Sequence, residues 1–561
     1  VSLGVLEEGR NRFAEAEVWF RRAAELANSD GMYGLGVRLK ERGEVDNAEM
    51  WFQIAAELGH GDAMYSLGVL LKERGDVGEA EAWFRKAAEL RNDGAMHSLG
   101  VLLKERGEIR EAEGWFREAA YLGNAGAMNN LAILLKGQRK IDEAERWYRI
   151  AAGHDNLQSM HNLGVLLGAR GETDESERWY RKAAHLGYSS SMYSLGVLLK
   201  DRGELGEAVQ WLRKAADLGK DRAMYSLGAV LEQRGEVRDA ERWYRKAVEL
   251  GNSNAMYSLG VLLKDRGELG EAMQWLRKAA DQGDPRAMNN LGVLLKKRGA
   301  LGEAEELYRK AADSGNPYAM HSLSVLLEGR GEADEAEQWL LKAANAGNSD
   351  SMNNLGILLK ARGDVGEAEQ WYRTAADQGN LEATHNLGVL LEERGELDDA
   401  EQWYLKAAHL GNPRAMLGLG LLLEKRHAFG KSESWYRQAA DLGNPRAMNN
   451  LGVLLKKRGA LGEAEQWYRK AADLGNTSAM NNLGILLKAR MKIDEAEQWY
   501  LKAASLGNDS AMVGLGLLQQ QRGEVDAAEH SYRMAAEQGN TAAINNLKDL
   551  EARRGKGHRT K

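Results

Sequence analysis

Residues 444–475 read Asn-Pro-Arg-Ala-Met-Asn-Asn-Leu-Gly-Val-Leu-Leu-Lys-Lys-Arg-Gly-Ala-Leu-Gly-Glu-Ala-Glu-Gln-Trp-Tyr-Arg-Lys-Ala-Ala-Asp-Leu-Gly. Apolar residues recur at three- and four-residue steps in two blocks, which predicts two helices joined by a short turn. Asn444 is placed to cap the first, and Pro445 sits at its first turn, where a missing N–H costs nothing. The other prolines, Pro285, Pro317 and Pro413, share that register. The first helix is expected to end at Arg458, with Gly459 in the left-handed conformation after it. Asn11, Arg139, His427 and Met491 stand in for that glycine elsewhere. The second helix is expected to open at Gly462, or at Asp142, Asp398 and Asp494 in other copies, with Asp142 to Glu145 spaced as a capping box. Gly475 should stop it.

The same pattern recurs along the chain. All fifteen tryptophans lie on one register of 32 residues, from Trp19, Trp51 and Trp83 to Trp467 and Trp499. A constant spacing over so long a chain means one unit copied end to end. Helices of about a dozen residues do not persist alone in water, so stacking must stabilise them. Ala464, Trp467, Tyr468, Ala471 and Ala472 form one broad stripe on the second helix. The tryptophans are therefore expected as core packing between repeats rather than as a ligand-stacking ladder. Met32 to Met512 are expected as core filler on the first helix.

Ala447, Met448, Leu451, Gly452, Leu455, Gly459, Ala464, Tyr468 and Ala471 resemble the spacing of the tetratricopeptide repeat. The Trp467-Tyr468 pair, the Ala471-Ala472 doublet and the Gly475-Asn476 junction resemble the related Sel1-like repeat. The resemblance covers essentially the whole chain and implies an all-α fold, an α-solenoid superhelix of about seventeen stacked helix-turn-helix repeats plus a C-terminal capping helix. Leu-Gly markers run from Leu3-Gly4 to Leu515-Gly516, with Ala132 and Ser324 replacing two glycines. The expected organisation is repeats over 1–543, a capping helix over 544–552 and a basic disordered tail over 553–561. Val1 enters the first helix partway, as if something preceded it. Residues 285–305 and 445–465 are identical, which reads as duplication of whole blocks.

Composition narrows the function. The chain has 43% hydrophobic residues, no cysteine and a net charge of −7. No apolar run reaches the ~18 residues of a membrane span. Disulfides and thiolate chemistry are out, and a cytoplasmic location is expected. Acidic and basic residues are mixed, without the basic face that nucleic acid needs. His97, His161, His321 and His385 share a register, but the nearest are two repeats apart, on the order of 20 Å, too far for one metal. No catalytic residue, metal site or cofactor is expected, and no enzyme.

A partner protein or peptide is expected instead. In the families resembled, the first helix of each pair lines the concave side. Its third residue before the marker glycine runs Tyr193, Tyr225, Tyr257, Asn289, His321, Asn353, His385. Val197, Val261, Val293 and Ile357 follow four residues on, then Lys200, Lys264 and Lys296 three further, all on one stripe. That mix of amphipathic rings, apolar side chains and charge suits a peptide groove. Peptide-clamping tetratricopeptide domains often carry Asn directly after the marker glycine. Val or Ile here implies apolar contact instead of a carboxylate clamp. The alternatives are a sensor or oligomerisation arm of a larger regulator, and end-to-end self-association.

Overall fold

In a computed structural model the described residues are 1–10 and 13–557, with side chains described to 552. Among them lie 35 helices and no strand, as seventeen helix pairs and a final helix. Most helices are 13 residues long; the leading helix Pro445–Lys457 and the trailing helix Leu461–Asp473 are typical. The chain forms two compact units, Val1–Trp275 and the residues from Leu276 onward.

Local chemistry sets each pair. The Asn444 side chain accepts from the N–H groups of Arg446 and Ala447, both at 3.0 Å, and so satisfies two orphan donors at the helix start. Pro285, Pro317, Pro413 and Pro445 each occupy a first turn. Gly459 takes φ +86°, and its substitutes Arg139, His427 and Met491 are forced to φ +63°, +60° and +63°. Asn11 lies outside the described residues.

The trailing helix starts earlier than its sequence suggests. It opens at Leu461, not Gly462, and its counterpart opens at Ile141, not Asp142. A single residue, Ala460 or Lys140, separates the left-handed turn from the helix, and no side chain caps it. The expected capping box from Asp142 to Glu145 therefore does not form. Asp142 is already inside the first turn, where its charge still favours the helix dipole.

The tryptophans require a larger correction. The residue after most of them is the core ring: Phe52, Phe84, Phe116, Tyr148, Tyr244 and Tyr468 are essentially fully buried, as is Tyr308 after Leu307, while Leu212, Leu276 and Leu340 stand in that register after Trp211, Trp275 and Trp339. Most tryptophans, Trp51, Trp83 and Trp147 among them, are half-buried at the core's edge. Trp211 and Trp467 go deeper. Their outer faces carry lysines: Lys470 Nζ lies 4.1 Å from the Trp467 ring and Lys246 Nζ 4.0 Å from Trp243.

The marker glycine makes room for that core ring. A β-carbon at Gly452 would lie 2.6 Å from Cε1 of Tyr468, and one at Gly36 would lie 2.7 Å from Phe52. The leading helix thus presses its bare backbone on the ring of its own trailing partner. Most of the methionine register, Met160, Met448 and Met480 among it, is buried core as expected.

The last helix spans Thr541–Gly557, opening before position 544 and continuing past 552. Residues 558–561 of the basic tail lie outside the described residues.

Candidate partner-binding face

Most of the stripe of leading-helix residues is half-buried in both units, although Asn353 is buried and Ile357 exposed. In the first unit it comprises Tyr193, Val197 and Lys200 on Ser189–Asp201, Tyr225 on Asp221–Gln233, and Tyr257, Val261 and Lys264 on Ser253–Asp265. The Tyr225 ring rests on the buried Tyr244 ring, centroids 6.0 Å apart. Tyr33 on Phe52 at 5.8 Å and His161 on Tyr180 at 5.5 Å repeat the contact. One face of each ring therefore belongs to the core. Lys200 pairs with its neighbour Asp201 at 3.3 Å.

In the second unit Lys296 and His321 come together with Val293, Lys297, Tyr308, Ser322 and Val325 around a cleft of about 470 Å³. Asn289 does not line it. Its side-chain oxygen accepts instead from the Ser322 hydroxyl of the next repeat, at 3.0 Å. This bond belongs to a ladder: Asn162 donates to Asn129 at 3.0 Å, Asn386 to Asn353 at 2.9 Å and Asn482 to Asn449 at 2.9 Å. The donors sit directly before the marker leucine, a register that sequence reasoning did not single out. The Asn129-Asn130 doublet was its signal: Asn130 reaches back to Nε2 of His97 at 2.9 Å, and Asn129 receives from Asn162.

His161 and His321 make a second link, through Nδ1, to Ser191 at 3.1 Å and Ser351 at 2.8 Å. Burial lowers the pKa of His97, His161, His321 and His385. That favours the neutral ring in all four, and His97, His161 and His321 hydrogen-bond within the wall. Among the described residues no group of three or more His, Cys, Asp or Glu could hold a metal ion. No helix among them is long and apolar enough to cross a membrane.

Charge on the trailing helices is ordered. Glu465 is held by Arg469 of its own helix at 2.9 Å and by Arg490 of the next repeat. Glu81 likewise takes Arg85 at 2.9 Å and Arg106 at 2.6 Å. Arg469 and Arg85 also reach forward to Glu495 and Glu111, at 2.5 and 2.8 Å. These arginines are spent on neighbouring repeats.

Comparison with known proteins agrees with this geometry. The tetratricopeptide repeat family matches residues 33–95, 94–122, 124–151, 156–186, 189–220, 222–252, 253–281, 286–314, 317–342, 353–413, 446–475 and 477–507, well over half the chain. The Sel1 repeat matches 8–28 and 413–444. No curated protein matches. Among solved structures, c5321, a protective antigen of uropathogenic Escherichia coli with an SLR fold, is 28% identical, with 74% of this chain and 97% of that chain covered and a TM-score of 0.54. A Sel1 repeat protein from Oxalobacter formigenes is 27% identical, covering 50% of this chain and 90% of that one, with a TM-score of 0.40. The chain is an all-α repeat solenoid, and it belongs to the tetratricopeptide repeat family.

Proposed function

We propose that the chain is a non-enzymatic scaffold whose leading-helix face binds a peptide or protein segment. The supporting observation is the cleft at Val293, Lys296, His321 and Val325, where an apolar wall stands beside the cations Lys296 and Lys297. The trailing helices, by contrast, have their glutamates and arginines paired with one another and with arginines such as Arg106 and Arg490 at the ends of leading helices. Such neutralised surface is weak bait for a partner, whereas half-buried apolar side chains flanked by charge suit one. Tyr193, Val197, Lys200, Tyr225, Tyr257, Val261 and Lys264 would form the corresponding wall in the first unit.

A photo-crosslinking residue placed at Val197 or Val325, and in control variants at the exposed trailing positions Arg178 or Gln338, tests the assignment in native host cells. Discrete protein adducts from the leading positions and few from the trailing ones are expected. Adducts confined to trailing positions would overturn the reading.

A further inference from the structure

One helix pair of the second unit breaks the packing rule of the others. In the leading helix Pro317–Glu328, Ser324 stands where the marker glycine belongs; in the trailing helix Ala333–Asn345, Leu340 replaces the core ring. Either change alone is accommodated elsewhere. Ala132 lies over Tyr148, which stays 1% exposed, and Leu212 lies under Gly196 and is 0% exposed. The two together are not. A β-carbon at Gly196 would lie 2.5 Å from Leu212 Cγ, so a leucine seats there only under a glycine. Ser324 has that carbon and is itself buried, its hydroxyl donating to the His321 carbonyl at 2.8 Å. Leu340 packs against the core but is only partly buried, where Leu212 is fully so. Beneath it Ala336 is 6% exposed, where Ala304 and Ala368 are 0%.

The result is a cleft of about 440 Å³, walled by Val325, Ala333, Ala336, Leu340, Ile357 and Leu358. That volume falls within the ~300–1,000 Å³ of ligand pockets. Ala361, near the end of the adjoining leading helix, lines the mouth; the register is small also at Gly137, Ala169, Gly329 and Ala489, and is lysine at Lys297, Lys425 and Lys457. Three carboxylates, Glu328, Asp334 and Glu337, line the cleft with one guanidinium, Arg362. Arg362 is bound to Glu337 at 2.6 Å. Glu328 has no side-chain partner among the described residues, and Asp334 interacts with Arg362 only through the field between them. An apolar hole with surplus negative charge at its rim selects an apolar group carried beside a cation.

We propose that this cleft is a binding site for a large apolar side chain, phenylalanine or leucine, in a peptide that places lysine or arginine next to it. Val325 is shared with the cleft at His321, so the proposal rests on the leading face being the partner-binding face. The anchor fills the place the missing ring vacates, and the adjoining cation meets Glu328 and Asp334.

The test uses the full chain and a defined probe, acetyl-Arg-(4-fluorophenylalanine)-Arg-amide, followed by fluorine NMR. The chain should shift and broaden the probe resonance, while the matching peptide with glutamates in place of arginines should bind about tenfold more weakly. Ser324→Gly restores the glycine under which Leu340 can seat, and Leu340→Tyr supplies the ring; each should weaken probe binding by at least about tenfold. Both variants restore the residue that neighbouring repeats carry, and retained far-UV circular dichroism confirms the fold. Glu328→Gln with Asp334→Asn should weaken binding about three- to fivefold and flatten its salt dependence. No binding to the wild-type chain at millimolar probe, or equal binding to wild type and Ser324→Gly, overturns the proposal. Equal binding of the acidic probe overturns the assignment of the cation. Crosslinks at Val197 report on the scaffold separately: retained there while Ser324→Gly leaves probe binding unchanged, they sink the cleft and spare the scaffold.

Discussion

Nδ1 of His321 lies 2.8 Å from the hydroxyl of Ser351, tying one leading helix to the next. His161 and Ser191 do the same. His385 shares the register, but position 415, where the serine would stand, is alanine, and its buried Nδ1 has no hydrogen-bond partner. Ala415→Ser should supply the missing group and stabilise the repeat by about 1 kcal/mol. Hydrogen exchange across residues 413–425 should slow about fivefold, since local opening reports local stability. Unchanged or faster exchange would count against this account of the ladder.

Two glycines close in sequence should respond in opposite directions. Gly452→Ala drives a methyl into the Tyr468 ring, and overpacking of this kind costs ~1–3 kcal/mol. Ala132 above Tyr148 shows that such a ring can adjust, so the low end is expected. Gly462 has nothing within 4 Å of its would-be β-carbon. Gly462→Ala should stabilise by about 0.5–1 kcal/mol through the unfolded chain's lost freedom. Exchange over 444–475 is the readout, because a long repeat array does not melt in two states. The same sign for both variants would refute the ring–backbone contact.

Arg139 and Met491 pay for their left-handed backbone without any visible return. Met491 is 82% exposed. Its replacement by glycine should relieve about 1 kcal/mol of strain, partly offset by the entropy glycine gains when unfolded. Slower exchange at the ends of the helices Thr477–Ala489 and Ile493–Ser505 is the expected result.

Stability should fall at both ends of the pH scale. Burial pushes the hydroxyls of Tyr148, Tyr308, Tyr372, Tyr468 and Tyr500 up to about 12. A folded pKa above the unfolded value of ~10 means their contribution is whole below pH ~10 and is lost as pH rises toward 12. In acid the sign reverses. Hydrogen bonds from Arg85, Arg181, Arg245 and Arg437 hold Glu111, Glu207, Glu271 and Glu463 below the usual glutamate range. Their contribution is present above ~4.3 and is lost as pH falls through the depressed values. Circular dichroism at 222 nm, with tyrosinate absorbance at 295 nm, checks both arms. Normal, early titration of all tyrosines would contradict the buried rings.

Caps and turns were legible because each rests on one residue's chemistry: Asn444 has an acceptor, Pro445 a fixed φ, Gly459 a free one. The start of the trailing helix was not, because Gly462 and Asp142 suit a cap while the turn itself needs only Ala460 or Lys140. Trp467 and Tyr468 adjoin on one apolar stripe, and hydrophobicity alone could not decide which points inward. The bare backbone at Gly452 decides it, and that contact spans two helices. On the proposed binding face, the register from Tyr193 to His385 was visible, but its inter-repeat bonds were not. Those bonds depend on a neighbour 30 or 33 residues away whose own role is revealed only by stacking.

The double grip on Glu465, by Arg469 beside it and Arg490 beyond it, has a consequence for how such a chain can grow. Every link between repeats joins fixed offsets: 25 residues for Arg490 to Glu465, 33 for Asn482 to Asn449. Excising or inserting one whole 32-residue block keeps those offsets in register, so each surviving partner faces the matching position of another copy. A change of any other size leaves a carboxylate and an amide stranded on both sides of the cut. Length can therefore change in register only in whole quanta, and copies as alike as 285–305 and 445–465 are where such an exchange would disturb the fewest contacts.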